Sequence, residues 1–395
     1  MKFKRFTKPG FLKGIGRALL DKLFGKYADD LAAVGKELPA QGVGDDVYFK
    51  SLSGVAMGGD GLPDDLFEAM YAIEEMATDD GVERLENAPE LVALGLKFDE
   101  KSSRGDIALQ VYLAAPELLA QKHNEMRLSR LASFEYHGSK EPVDQSESFQ
   151  APKKEILDLL TTDLNDWFKQ HNRGEQTANI EVYPMDGEFW FLVRHGDPMA
   201  RMAKLEKGKL KMLHIRPAKD DVVVYSPQRD EIRIHAGTNG EKELYRTAFG
   251  TRLQGDPDYF SERKAYSLDP LRTDGPDALS VEGVPEIEKI VLTEYEIRWK
   301  GGFNDSFVKK SNDIFASAKA REKPAIPESG NLVRAGFDFY FVGVTKPRKV
   351  QIRPWNTLKL GRHCDARPVH EWLSKRGFRT TMNKEKANVE AVAMS

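Results

Sequence analysis

Residues 179–193, NIEVYPMDGEFWFLV, decide the fold class, because β-branched and aromatic residues flank an Asp-Gly pair. Apolar residues of these types at every second position are typical of strands that bury one face. Asp186-Gly187 favours a two-residue hairpin turn, since both residues tolerate a left-handed backbone. The stretch therefore predicts two antiparallel strands joined by a tight turn.

Strand patterns continue through most of the sequence that follows. Residues 221–235, DVVVYSPQRDEIRIH, predict a second hairpin around Ser226-Pro227, and a helix is expected from Glu241 to Phe249. The remaining expectations are a strand pair within 287–299, another formed by 333–344 and 349–355, and a short helix over 369–376.

The sequence before the first hairpin has helical periodicity instead. Apolar residues recur at steps of three and four between Leu12 and Val34, and Pro63 and Pro116 each precede a helical pattern. Helices first and antiparallel strands later indicate an α+β fold, with a helical N-terminal region followed by a β-rich region that holds a few helices. The predicted division is a helical acidic domain (1–137), a linker (138–152), a helix plus β-hairpin domain (153–290), a basic β-rich domain with a C-terminal helix (291–379) and a flexible tail (380–395).

Charge is distributed unevenly along the 395 residues, although the formal net charge is only −3. Residues 45–117 hold 17 acids and 5 bases, whereas residues 298–379 hold 18 bases and 7 acids. This split is expected of a protein with a nucleic-acid face, of two domains that attract each other, or of a protein with a partner subunit. The single cysteine and the lack of a long apolar run predict a cytoplasmic protein with no membrane partner.

The stretch FLVRHGDPM, residues 191–199, invites comparison with histidine phosphatases, in which a strand ends in Arg-His-Gly and the histidine attacks phosphorus. Arg194 and His195 supply the tripeptide, and His235 is the available second histidine. The preceding strand belongs to a tight hairpin, and Asp197-Pro198 interrupts the chain where a helix is needed. A phosphatase is therefore kept only as an alternative.

A second catalytic alternative is a metal-dependent nuclease. Asp221 and Glu231 lie on the two arms of the second predicted hairpin, and two carboxylates can hold a magnesium ion for hydrolysis. Arg233 stands where such enzymes use lysine, and its permanent charge cannot exchange a proton. Magnesium is expected only if this alternative holds; otherwise neither a metal site nor a cofactor is predicted.

The basic C-terminal part supplies the leading hypothesis. Its cations are interleaved with aromatic residues, a composition that suits phosphate backbones and stacked bases. The predicted contacts are Arg348, Lys349, Arg353, Lys359 and Arg362. The protein is thus expected to be a non-enzymatic binding or regulatory protein whose partner is nucleic acid or another protein subunit.

Four strings resemble those of bacterial proteins that carry no assigned activity: KHNEMRLSRLASFEYH, FLVRHGDPM, AGTNGEKELYRTAFG and QIRPWNTLKL. The resemblance spans most of the chain and implies a bacterial origin without implying catalytic residues. Membership of a larger assembly, such as one for phage defence, is a hypothesis that is not based on any particular residue of the sequence.

Overall fold

A computed structural model describes residues 4–58, 61–96, 98–99, 101–139, 142–206, 208–260, 265–360 and 366–380. The chain folds into two compact units, Met1–Arg127 and Leu128–Ser395. Helices dominate the first and an antiparallel sheet dominates the second, so the predicted α+β class is confirmed. Among the described helices, none combines the length and apolar character that a membrane crossing requires.

The first unit packs short helices around one apolar core, to which Leu20, Leu66, Met70, Ile73 and Leu109 contribute fully buried side chains. Its helices are α1 (Pro9–Leu12), α2 (Arg17–Gly25), α3 (Ala28–Ala33), α4 (Asp45–Met57), α5 (Asp64–Met76), α6 (Asp79–Glu86), α7 (Pro89–Ala93), α8 (Arg104–Ala114) and α9 (Pro116–Ser129). The early helical pattern is thus divided among three helices.

The second unit is built on a ten-stranded sheet in which every pair of neighbours is antiparallel, in the order β2-β3-β6-β7-β1-β12-β11-β10-β8-β9. The strands are β1 (Ser133–Gly138), β2 (Asn179–Met185), β3 (Glu188–Gly196), β4 (Ala200–Glu206), β5 (Lys209–Ile215), β6 (Ala218–Ser226), β7 (Glu231–His235), β8 (Ile287–Arg298), β9 (Ser306–Lys310), β10 (Asn331–Phe341), β11 (Arg348–Arg353) and β12 (Thr357–Leu360). Strands β4 and β5 pair only with each other, as a separate hairpin.

Two helical layers cover opposite faces of this sheet. Helices α10 (Lys154–Gln170) and α11 (Asn239–Phe249) pack on the half formed by β2, β3, β6 and β7. Helices α12 (Pro270–Thr273), α13 (Ile314–Ala320) and α14 (Ala366–Lys375) contribute to the core on the other face, in which Trp372 is fully buried. The strands β1, β12 and β11 bury apolar side chains only on that second face. Their other face is polar and only partly covered, since His137 is buried there and α11 lies beside it.

Both predicted hairpins are confirmed by the strand register. Asp186 and Gly187 have φ angles of 52° and 75° in the turn between β2 and β3, as the Asp-Gly sequence requires. The second hairpin joins β6 to β7. In contrast, residues 287–298 form one long strand rather than a pair, because β8 pairs with β10 along its whole length and with β9 over Glu294 to Arg298.

The domain boundaries differ from those expected. Strand β1 belongs to the sheet, so the division falls at Arg127 and not at residue 137. No boundary lies at residue 290, because β8 spans it and the strands on both sides share one sheet. The described part of the expected linker packs into the second unit, where Phe149 contacts the rings of Phe189 and Tyr225. The expected tail begins at Thr380, and its residues 381–395 lie outside the described part.

Candidate functional site

The polar surface of β1, β12 and β11 is called here the open face. It carries polar side chains because successive side chains of a strand point to opposite faces of the sheet. Val350, Ile352, Leu358 and Leu360 point into the core, so their neighbours in sequence point the other way. The open face consists of Ser133, Glu135, His137, Lys349, Gln351, Arg353, Thr357 and Lys359. Cross-strand pairing places Lys359 beside Gln351, and Thr357 beside both Arg353 and Glu135.

Three predicted contact residues lie together on this open face. Lys349, Arg353 and Lys359 are exposed, and none forms an ion pair with another described residue within 4.0 Å. Two adjacent strands bring these cations together. Their charge is therefore available to an anionic partner.

Other lysines and arginines of the basic C-terminal part do not lie on the open face. Arg348 lies on the opposite side of β11 from Lys349, because it pairs with the core residue Phe339. Arg376 donates to the carbonyl oxygens of Ser280 and Glu282, at 2.8 and 3.0 Å, and thereby holds a loop. Arg362 lies outside the described residues. The basic region thus divides into structural cations and a smaller exposed set.

Trp355 lies in the turn between β11 and β12, with 68% of its surface exposed. Its φ is 82°, in the left-handed region that bulky residues rarely adopt. The backbone there is held by the N–H groups of Ala265 and Tyr266, which donate to the Trp355 carbonyl oxygen at 2.7 and 2.9 Å. A strained backbone that presents an exposed indole is a feature of ligand-binding positions rather than of core packing.

A cavity of about 360 Å³ opens beside this tryptophan, between the open face and α11. Its size falls within the range of small-ligand sites, roughly 300–1,000 Å³. The lining residues are Glu135, His137, Asn239, Lys242, Glu243, Arg246, Pro354, Trp355, Asn356 and Thr357. Amide, carboxylate and cationic groups thus surround one exposed aromatic ring.

The polar groups at the cavity floor are already ordered. The Glu135 carboxylate accepts from His137 Nε2 at 3.0 Å and from Lys242 Nζ at 2.7 Å. The hydrogen bond from His137 and the charge of Lys242 outweigh burial and lower the pKa of Glu135 to about 2. The Asn356 amide lies 3.5 Å from His137 Nδ1. An ionised acceptor is therefore held in place before any ligand arrives.

No protein-family model matches this sequence, and a comparison with curated proteins finds no significant match. The function proposed below rests on the side chains of this chain alone.

The Arg-His-Gly tripeptide does not form a phosphatase pocket. Arg194 and His195 project from opposite faces of β3, where Arg194 pairs with Asp220 at 2.9 Å. His195 is 1% exposed and stacks on Phe168 at 4.3 Å. The second histidine, His235, projects from the sheet face opposite to His195, where its Nδ1 donates to the Ser133 carbonyl oxygen at 2.8 Å and its ring contacts Phe134. No shared pocket can therefore hold a phosphate between the two histidines.

His195 instead joins a buried charge network beneath α11. Its Nε2 contacts Asp221 at 3.0 Å, and Tyr245 donates to the same carboxylate oxygen at 3.0 Å. Burial raises the pKa of Asp221, but His195 and Lys219 more than offset it, so the pKa lies below its usual value. Glu241 extends the network, since it caps the first turn of α11 and accepts from Lys219 at 2.6 Å.

His195, Asp221 and Glu241 are of metal-ligand types and lie within 4.8 Å of one another. The donor set does not suit a cation, because the Lys219 ammonium lies 3.3 Å from Asp221 and Arg173 lies 2.9 Å from Glu241. Two protein cations already neutralise the two carboxylates. The network is therefore a structural one.

The nuclease arrangement is not formed either. Asp221 shares a sheet face with Val223, whereas Glu231 shares the opposite face with Arg233. Arg379 and Arg229 bind the Glu231 carboxylate, which is 4% exposed. Burial raises the pKa of Glu231, but these arginines outweigh it and hold that pKa below the usual value. The two carboxylates cannot share one magnesium ion.

Sequence reasoning found Arg353 and Lys359 but missed the cavity residues contributed by α11. Lys242 and Arg246 lie on a helix that is distant in sequence from β12, so only the pairing of β1 with both β7 and β12 brings them near Trp355. The available signal was Trp355 itself, an aromatic residue among cations in a Pro-Trp-Asn turn.

Proposed function

We propose that this protein binds single-stranded nucleic acid along the open face and inserts one base beside Trp355. The observation that carries the proposal is the group of Lys349, Arg353 and Lys359, exposed and outside any ion pair with another described residue, next to an exposed indole. Phosphate groups attract such cations and release counterions on binding. An indole adds stacking that accepts any base.

A single strand fits this arrangement better than a duplex. The cavity lies beside the open face and its volume of about 360 Å³ is enough for an aromatic ring, which only an unpaired base can insert. Sheet platforms that bind single strands combine exposed aromatic rings with cations that follow the backbone.

The groups around the cavity offer both donors and acceptors to a base edge. Asn239 and Asn356 carry amides, and the ionised Glu135 supplies acceptor oxygens. Lys242 and Arg246 line the cavity as well, and the Lys242 ammonium holds the Glu135 carboxylate in place. Binding, rather than catalysis, is what this set of groups supports.

The test is an equilibrium binding titration with a labelled single-stranded oligonucleotide, read by fluorescence anisotropy at several salt concentrations. The double variant Lys349→Glu/Arg353→Glu removes two phosphate contacts. Each contact contributes about 0.7 to the slope of log K against log salt, so the slope should fall by about 1.4. The loss should be similar for unrelated sequences.

The matched control is Lys319→Glu/Lys323→Glu, which reverses two exposed lysines at and after α13. Helix α13 packs on the core face of β8, away from the open face. The control changes net charge equally, and it should leave both affinity and slope near wild type. Equal losses in the two double variants, or no binding by the wild type, would refute the proposal.

A further inference from the structure

The hairpin of β4 and β5 is an arm that extends from the main sheet. It continues the β3–β6 ladder, whose last pair is Gly196 with Ala218. The Asp197 N–H then donates to the Pro217 carbonyl oxygen at 2.7 Å, after which the two strands pair only with each other. Nearly every described residue of the arm is exposed.

The root of the arm is fixed by specific contacts. Arg216 donates to the carbonyl oxygens of Asn172 and Asp197, both at 2.8 Å, and Arg173 binds the Asp197 carboxylate at 2.5 Å. A Cβ at Gly196 would overlap the carbonyl oxygen of Arg173 and the side chain of Arg216, so glycine is required there. The Arg-His-Gly segment thus ends in the anchor of a projecting arm.

Apolar side chains on this arm have no core to enter. Leu205 and Leu210 form a cross-strand pair near the tip and are 71% and 68% exposed. The arm also exposes Met202, Met212, Leu213 and Ile215. A two-stranded hairpin is marginal by itself in water, and grouped apolar exposure marks an interaction site. The arm therefore has the properties of a docking element.

Its charge indicates the chemistry of the partner. Residues 200–215 contain five lysines or arginines and one acid, Glu206, which pairs with Lys204 and Lys211 within the arm. Arg201 is exposed and forms no ion pair with another described residue. The first unit of the same chain has the opposite character: Asp64, Asp65, Glu68, Glu83 and Glu86 on α5 and α6 are exposed, and they form no ion pair with another described residue. Phe67 on α5 and Val82 on α6 are only partly buried, which leaves apolar surface beside these acids.

We propose that the arm docks on the acidic α5–α6 surface of a second copy of this chain. Each copy carries both surfaces, so two arms can be exchanged reciprocally in a closed dimer. Leu205, Leu210 and Arg201 share one face of the arm, so the leucines supply apolar contact while Arg201 selects the acidic surface. This interface is separate from the open face and does not depend on the proposed nucleic-acid role.

The test is sedimentation velocity of the full chain over a range of protein concentrations, at low and high salt. The wild type should form a concentration-dependent dimer that weakens as salt rises. The arm variant Arg201→Glu and the surface variant Glu68→Lys/Glu83→Lys/Glu86→Lys should each weaken dimer formation about tenfold or more. All substituted side chains are solvent-exposed, so melting temperatures should stay near wild type.

The decisive measurement is the sedimentation of a mixture of the arm variant and the surface variant. In the mixture a reversed arm meets a reversed surface, and a native arm meets a native surface, so the dimer should return. Leu205→Ser/Leu210→Ser should abolish it at every salt concentration. A wild type that stays monomeric, a mixture that does not recover, or a leucine variant that affects only oligonucleotide binding would overturn the proposal.

Discussion

Replacement of Trp355 by glycine should separate the effect of this residue on protein stability from its effect on oligonucleotide binding. The residue has a φ of 82°, and its side chain is 68% exposed, so the ring contributes little burial while the backbone is strained. A left-handed backbone costs a non-glycine residue about 1–3 kcal/mol. Glycine relieves that strain but loses about 0.5–1 kcal/mol more backbone entropy than alanine on folding. Trp355→Gly should therefore be more stable than Trp355→Ala by about 1 kcal/mol.

The comparison of these two variants isolates the strain, because both lack the indole. Calorimetric unfolding should give Trp355→Gly a melting temperature about 2–4 °C above that of Trp355→Ala for the transition of the second unit. Both variants should lose about 1–3 kcal/mol of oligonucleotide affinity, which is the contribution of one stacked base. A glycine variant less stable than the alanine variant would refute the strain argument, and unchanged affinity would refute the stacking role.

Two further predictions concern carboxylates. Because the pKa of Glu135 is lowered to about 2 from an ordinary value of 4.5, its ionised form stabilises the native state above pH 4.5, and this contribution is lost as the pH falls toward 2. Glu135→Gln should therefore cost about 2 kcal/mol in urea unfolding near pH 7, and the difference should shrink at low pH; a constant difference would contradict it. Asp221→Asn removes one partner of a buried charge network and should cost about 3–5 kcal/mol of stability. A fully stable Asp221→Asn protein that had lost a magnesium-dependent cleavage activity would restore the nuclease alternative.

The fold class could be predicted because its signals are local. Asp186-Gly187 specifies a turn by backbone preference alone, and the periods of two and of three to four are readable along the chain. Pairing between distant strands is not local. Nothing near Ser133–Gly138 indicates that β1 bridges β7 and β12. The sequence therefore places residues 133–137 at the end of the helical domain and Gly138 in the linker, although together they form a strand in the middle of the sheet.

The candidate site was partly predictable for the same reason. Cation density identified Lys349, Arg353 and Lys359, but side-chain direction separates Arg348 from Lys349, and that depends on which face of β11 is buried. The Arg-His-Gly tripeptide, kept only as an alternative on sequence grounds, is a strand end at which His195 is buried and stacked on Phe168. Whether a histidine is exposed is decided by tertiary packing, which a three-residue pattern cannot encode.

The most direct test of the central claim is photocrosslinking with an iodouracil-substituted single-stranded oligonucleotide, followed by mass spectrometry of the crosslinked peptides. The proposed site predicts crosslinks to the turn that contains Trp355, and their loss in the Lys349→Glu/Arg353→Glu variant. Crosslinks that map to α13, to the first unit or to the β4–β5 arm, with none at Trp355, would contradict it.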